Sequence, residues 1–309
     1  MVSVSQKIKV AATHLLRSQM ELDIDDYGLK GLGDLCNKIL AHYNEFPAPD
    51  PTSLASDETL YKTVAPLQFT LNHSGESFAN YASHLSKTHN IKTATLCRYY
   101  FECYANLPRG KRECFIFHDS LDKLTKAAND RTNVSLTYRG ESRIVSPCFL
   151  AFSPSQVRAY IVVCDNNLEK PAAQRFHSLR LCHIRGVAAD TNSKAFHCEN
   201  FELSHQADLY REHFDPFLCY GQNIKVHLTE KSVERYNRLT TNRPKVIAKD
   251  GEECSEVNSA GNYTFECSEK LAKIYFPQFL SEAEILEPRE LRLWFKEQFD
   301  NAAKVYSPK

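Results

Sequence analysis

Nowhere in this sequence do two cysteines stand as Cys-x-x-Cys, although eleven cysteines are scattered along its 309 residues. Zinc ribbons and knuckles need that spacing, so they are excluded. The cysteine count is odd, and Cys148, Cys164 and Cys182 fall inside apolar runs. Reduced, buried thiols in a cytoplasmic protein are the reading that follows. Glycine is sparse too. The ten glycines are spread singly, so there is no glycine-rich loop to cradle a phosphate chain. No apolar run approaches the roughly 20 residues of a membrane span. The start, Met1 to Gln6, lacks the apolar core of a signal peptide. Net charge is also lacking: 38 Lys and Arg stand against 38 Asp and Glu, so the whole chain carries no bulk footprint for nucleic acid.

The charge is unevenly placed. Residues 130–186 hold eight Arg and Lys against four acids, while residues 250–309 hold twelve acids against seven Lys and Arg. A basic face on a neutral protein still recruits phosphates. The chain is long enough for two or three domains with cores of their own.

The basic segment has the pattern of a small, strongly bent sheet. Val134, Leu136 and Tyr138 alternate with polar residues. Arg139-Gly140-Glu141-Ser142 is a turn signal, and residues 143–150 form a second strand, broken at Ser153-Pro154-Ser155. Tyr160 to Cys164 is a short apolar strand, and residues 179–184 alternate again. A tyrosine-ending strand, then Arg143-x-x-x-Pro147, then Ala159-Tyr160-Ile161, then Leu179 to Val187 resembles the order of WYL domains, an Sm-like barrel family. Two positions depart from the family pattern: Ala159 stands for its Trp, and His183 for the second Arg of its last strand. The end of the chain, Ile285-Leu286-Glu287-Pro288-Arg289-Glu290-Leu291, is similar to the extension that follows WYL domains. Leu291, Trp294, Phe295, Phe299, Ala302 and Tyr306 then recur at helical steps. The resemblance spans about residues 118–306.

At the other end, residues 4–11 read as one strand, with Ile8 and Val10 on one face and Ser5, Lys7 and Lys9 on the other. Helices are predicted over about 12–26 and 32–43, with a stop at Tyr27-Gly28. Strand, helix, turn, helix resembles a ribbon-helix-helix domain. In that family the strand pairs with that of a second copy and its outward side chains enter the major groove, which would place Ser5, Lys7 and Lys9 at DNA. The local charge argues against a strong DNA footprint, with five basic and six acidic residues in 1–45. Phe46-Pro47-Ala48-Pro49-Asp50-Pro51 is a linker. Residues 57–130 read as helical, clearest at 77–89, 93–105 and 120–129, with a helix cap at Asp119 or Ser120. Pro108 to Arg112 reads as a basic loop, or as the wing of a helix-turn-helix over 85–100. Asn200 to Phe217 reads as a connector.

The expected architecture is α+β, in four segments. Residues 1–45 are a ribbon-helix-helix-like module, 46–117 a linker and helical spacer, 118–199 a WYL barrel, and 200–309 a C-terminal α/β extension assigned to dimerisation. No catalytic site is expected. His118-Asp119-Ser120 gathers triad residue types, but neighbours on a helix point different ways. His177, His183 and His197 lack a matching carboxylate pattern, so no metal and no cofactor is expected. The basic set is the better site: Arg143, Arg175 and Arg180 with His177 and His183 for phosphate, and Tyr138 and Tyr160 for base stacking. In a regular strand Arg180 and His183 would point to opposite faces, and ion pairing of Arg143 and Arg180 with acids is the competing reading.

A ribbon-helix-helix module fused to a WYL barrel resembles the WYL accessory proteins of type VI-D CRISPR-Cas systems. That resemblance implies a non-enzymatic regulator that binds single-stranded RNA through the barrel, with an RNA-targeting CRISPR effector and a second copy of the chain as partners. A DNA-binding transcription regulator whose barrel senses a ligand, and an oligomerisation scaffold, are the other readings.

Overall fold

The computed structural model describes residues 7–46, 65–71, 78, 80, 82–83, 87, 91–153, 156–198 and 200–306. Ser5, most of the proline-rich linker and most of the helix expected at 77–89 lie outside them. The chain divides into two units. The first comprises residues 1–164 and 179–196, the second residues 165–178 and 197–309. Both are α+β, and among the described residues no helix is long and apolar enough to cross a membrane.

The first unit begins with strand β1, Lys7–Val10, and helices α1, His14–Tyr27, and α2, Leu32–Glu45. The Thr13 hydroxyl accepts from the Leu16 N–H and starts α1. Gly28 ends it in the left-handed conformation at φ +62°, which glycine adopts without a Cβ clash. Strand β2, Leu67–Thr70, then pairs antiparallel with β1, setting Lys7 against Thr70 and Ile8 against Phe69. This corrects the expectation that β1 waits for a second copy: the partner strand is supplied by the same chain. The case for a homodimer built on that strand goes with it.

Helices α3, Thr93–Ala105, α4, Arg109–Ile116, and α5, His118–Asn129, follow. The basic loop or wing expected at Pro108 to Arg112 is instead the first turn of α4, which turns Arg112 inward to 7% exposure. The expected cap at Asp119 or Ser120 is also displaced. Phe117 takes the N-cap position without a side-chain bond.

The sheet comprises β3, Thr132–Tyr138, β4, Glu141–Ser153, β5, Arg158–Cys164, β6, Phe176–Arg180, and β7, Ile184–Lys194, in the order β6-β5-β4-β3-β7. Strand β4 pairs with β3 through Val145 and with β5 from Ser146 onward. Its register slips between Pro147 and Phe149. A bulge is where a proline, which has no N–H for the ladder, is tolerated inside a sheet. The expected barrel does not close: β6 and β7 stay at opposite edges, joined only by a 3-10 turn at Leu181–His183. That turn also breaks the single strand expected over 179–184. One hydrophobic cluster runs from Ile8 to Val187, so the segments read as 1–45, 46–117 and 118–199 share a core.

In the second unit the expected connector after residue 200 is helix α6, Phe201–Glu212, capped by the Asn200 side chain on the Glu202 N–H. A five-stranded sheet follows, in the order β10-β9-β11-β8-β12. Its strands are β8, Asn223–Leu228, β9, Lys245–Lys249, β10, Glu252–Glu253, β11, Gly261–Glu266, and β12, Ala283–Glu287. Every ladder is antiparallel, so the extension is α+β rather than α/β. Helices α7, Glu230–Arg238, α8, Glu269–Tyr275, and α9, Arg289–Val305, complete it. Of the expected stripe on α9, Leu291 and Phe295 are buried, whereas Ala302 and Tyr306 are exposed.

Candidate nucleic-acid interface

The basic residues of the first unit separate into a set paired with carboxylates and an open set. The paired set is built on α1. Leu16, Met20, Asp23 and Tyr27 recur at helical spacing and all face inward, so a carboxylate sits on the apolar stripe. A buried charge needs a partner. Arg112 supplies it with Nε–Oδ2 at 2.7 Å and Nη2–Oδ1 at 3.1 Å, and the Tyr104 hydroxyl adds a bond at 2.8 Å. Asp26, one turn later, gathers three guanidiniums: Arg109 at 2.8 Å, Arg158 at 2.7 Å and Arg180 at 2.7 Å from Oδ2. Glu113, fully buried on α4, accepts from the backbone N–H of Cys182 at 3.0 Å and of Ala159 at 3.3 Å. Its carboxylate lies 3.4 Å from Arg180 Nε. Burial pushes the Glu113 carboxyl up, and those N–H groups and the Arg158 charge pull it back.

The open set surrounds the β3–β4 hairpin. Tyr138 pairs with Glu141, leaving Arg139 and Gly140 as a two-residue turn with φ of +52° and +90°. Positive φ at both positions is the turn whose twist matches antiparallel strands. The Arg139 N–H reaches the His183 carbonyl at 3.4 Å, tying the hairpin to the 3-10 turn. Arg139 lies over the Tyr138 ring at 5.6 Å, and the Tyr138 and His183 rings meet edge-on at 6.2 Å. Arg185 donates to the carbonyls of Cys182 at 2.6 Å and Ile184 at 2.8 Å, and lies 5.1 Å from the Phe117 ring. A cavity of about 240 Å³ opens here, lined among others by Tyr27, Thr137, Arg139, Cys182, His183 and Arg185. No carboxylate lines it. Neither Arg139 nor Arg185 makes an ion pair among the described residues.

These charges act on the groups between them. Burial holds the His183 imidazole below its ordinary pKa, and the positive charges of Arg139 and Arg185 add to that; Asp26 opposes. Burial pushes the Tyr138 phenol up. Burial and the neighbouring Glu113 push the Cys182 thiol up, which disfavours its thiolate. Two fixed cations, an imidazole and a tyrosine ring suit a phosphate with a base beside it.

Of the residues expected at the site, Tyr138 and His183 meet here. Arg143 stands exposed on the same hairpin and pairs with Glu141. The others go elsewhere. Arg180 is turned inward, where it meets the carboxylates of Asp26 and Glu113. Tyr160 is 8% exposed and its hydroxyl bonds to the Gln156 side chain, so its ring offers no stacking face. Arg175 and His177 lie in the second unit. There Arg175 donates to the Asp165 carbonyl at 2.9 Å, and His177 Nε2 lies 2.7 Å from the Asp165 carboxylate. Lys7 and Lys9 are exposed on β1.

Arg139 and Arg185 were missed by the sequence reading. For Arg139 the Arg-Gly pair at a hairpin tip was the available signal, since side chains there are held in solvent; Arg185 lies in β7 and had none.

No protein-family model matches the chain, and no curated protein matches it. Among solved structures, the chain is similar to one described as the crystal structure of a CRISPR Cas-related protein, with a TM-score of 0.62 and 14% identity over 99% of this chain and 95% of that one. The two share a fold. A second likeness, to the proteasome accessory factor B/C of Arthrobacter aurescens, has a TM-score of 0.29 at 11% identity, covers 99% of this chain and 51% of that one, and carries no argument.

Proposed function

We propose that this chain is a non-enzymatic regulator that binds single-stranded RNA at the β3–β4 hairpin and modulates an RNA-targeting CRISPR effector. The observation that carries the reading is the pair Arg139 and Arg185. Theirs are guanidiniums beside aromatic rings with no carboxylate partner among the described residues, while each of the four arginines around Asp23 and Asp26 is bonded to a carboxylate. Guanidinium takes phosphate bidentately, and Tyr138 and His183 supply ring faces and edges for an unstacked base. The shared fold with a CRISPR Cas-related protein supports the effector context. A duplex keeps its bases stacked and gains nothing from the rings.

One observation favours a second reading, a DNA-binding regulator. Paired β1 and β2 expose Lys7, Lys9, Gln68 and Thr70 on one face, a polar two-stranded ribbon within a single chain. Ribbons of this kind read the major groove. Fluorescence anisotropy with single-stranded RNA, single-stranded DNA and duplex DNA of matched length at one fixed salt separates the two. The first reading expects RNA to bind most tightly, and preference for the duplex would replace it with the second.

A further inference from the structure

The second unit carries a groove that RNA binding at the hairpin leaves unused. It has a volume of about 620 Å³, within the range of small-molecule sites. Three lysines line it, Lys170, Lys270 and Lys273, against a single carboxylate, Glu269. Lys273 lies 3.3 Å from Glu269, so that acid is already engaged. The groove's remaining walls include Phe217 and Ile274. Ile274 is 54% exposed, and Lys270 Nζ stands 5.9 Å from the Phe217 ring centroid. Ser178 also lines the groove. It is 4% exposed, and its hydroxyl has no hydrogen-bond partner among the described residues. A buried hydroxyl left unpaired costs about 1–3 kcal/mol. A ligand atom within hydrogen-bond distance of the hydroxyl would remove that cost. Beside it His177 is fixed by Asp165 at 2.7 Å.

We propose that this groove binds a nucleoside monophosphate, its phosphate among the lysines, its base against Phe217 and Ile274, and a polar atom bonded to the Ser178 hydroxyl. The cations alone would suit any anion. The apolar wall beside them selects an anion that carries a flat ring, and Lys270 over Phe217 places the two requirements side by side.

Calorimetric titration of the full chain with the ribonucleoside 5′-monophosphates of A, G, C and U, with the matching nucleosides, and with inorganic phosphate tests both halves. At least one monophosphate should bind about tenfold more tightly than its nucleoside and than phosphate. Titrated in the Arg139→Ala with Arg185→Ala background, which removes the hairpin as a second nucleotide site, Lys170→Ala with Lys270→Ala should weaken it about tenfold. Ser178→Ala should weaken binding without lowering the melting temperature, because the hydroxyl holds nothing in the unliganded protein. Absence of binding by every monophosphate at millimolar concentration overturns the proposal. So does binding that survives the lysine changes, or inorganic phosphate binding as tightly as the nucleotide.

Discussion

Arg180 reaches back to Asp26, 154 residues earlier, and bonds its carboxylate at 2.7 Å. Both side chains are mostly buried, at 14% and 12% exposure. The contact fixes helix α1 to the turn that follows β6, and it takes one of the arginines expected at phosphate out of solvent.

Arg180→Ala should therefore act on stability. Removing one partner of a largely buried ion pair costs on the order of 3 kcal/mol. Asp26→Ala should cost more, since it leaves Arg109, Arg158 and Arg180 facing one another without their anion. Urea unfolding measures both. An Arg180→Ala protein with parental stability and weakened RNA binding would restore the original assignment.

The cross-strand pair Ile8 and Phe69 tests the ribbon within one chain. Both are buried, at 5% and 4% exposure, and they stand directly opposite. Phe69→Ala should cost about 3–5 kcal/mol. A double-mutant cycle with Ile8→Ala should show a coupling of roughly 0.2–1 kcal/mol. Coupling of zero, with stability that rises with protein concentration, would mean that β1 pairs with another copy.

His42 sets a pH dependence. Its ring lies 3.6 Å from that of Phe115 and 4.7 Å from that of His118, and its Nδ1 is buried without a partner among the described residues. Burial, and secondarily the His118 charge, lower its pKa from 6.5 to about 4, with Asp119 opposing. His118 in turn faces Glu45 and Asp119. The unfolded chain takes up this proton near 6.5 and the folded chain only near 4, so its contribution to stability is full above 6.5 and is lost as pH falls through that window. The urea midpoint should drop between about pH 7 and about pH 5, and His42→Phe should reduce the drop. An unchanged drop in the variant would assign it to other groups.

The two tyrosines should separate. Tyr138→Ala should weaken single-stranded RNA binding by about 1–3 kcal/mol with little change in salt dependence. Tyr160→Phe, which keeps the buried ring and removes only the bond to Gln156, should leave binding unchanged. Equal losses at the two positions would contradict a site confined to the hairpin.

Much of this fold was legible in the chain because periodicity reports local structure. The alternation at Val134, Leu136 and Tyr138, the apolar run from Tyr160 to Cys164, and the helix over 93–105 all reflect which face is buried. What stayed hidden depends on contacts distant in sequence. Nothing local in residues 4–11 announces that β2 lies across a proline-rich stretch. Arg112 in a run of basic residues looks like a loop facing solvent, and only the position of Asp23 on the stripe of α1 hints that an arginine must be buried. The site suffered in the same way. Arginines chosen by type were divided by their partners, and Arg139 and Arg185 qualify because acids lie elsewhere, which is a property of the assembled surface.

The most direct measurement is the salt dependence of single-stranded RNA binding by the parent chain and by Arg139→Ala with Arg185→Ala, each verified as folded by circular dichroism. Each guanidinium that neutralises a phosphate contributes roughly 0.7 to the slope of log affinity against log salt. The double variant should bind more weakly at low salt and show a slope flatter by that amount for each arginine lost. Parental affinity and slope in this variant, with binding abolished instead by Lys7→Ala and Lys9→Ala, would contradict the account and move the nucleic-acid surface to the ribbon.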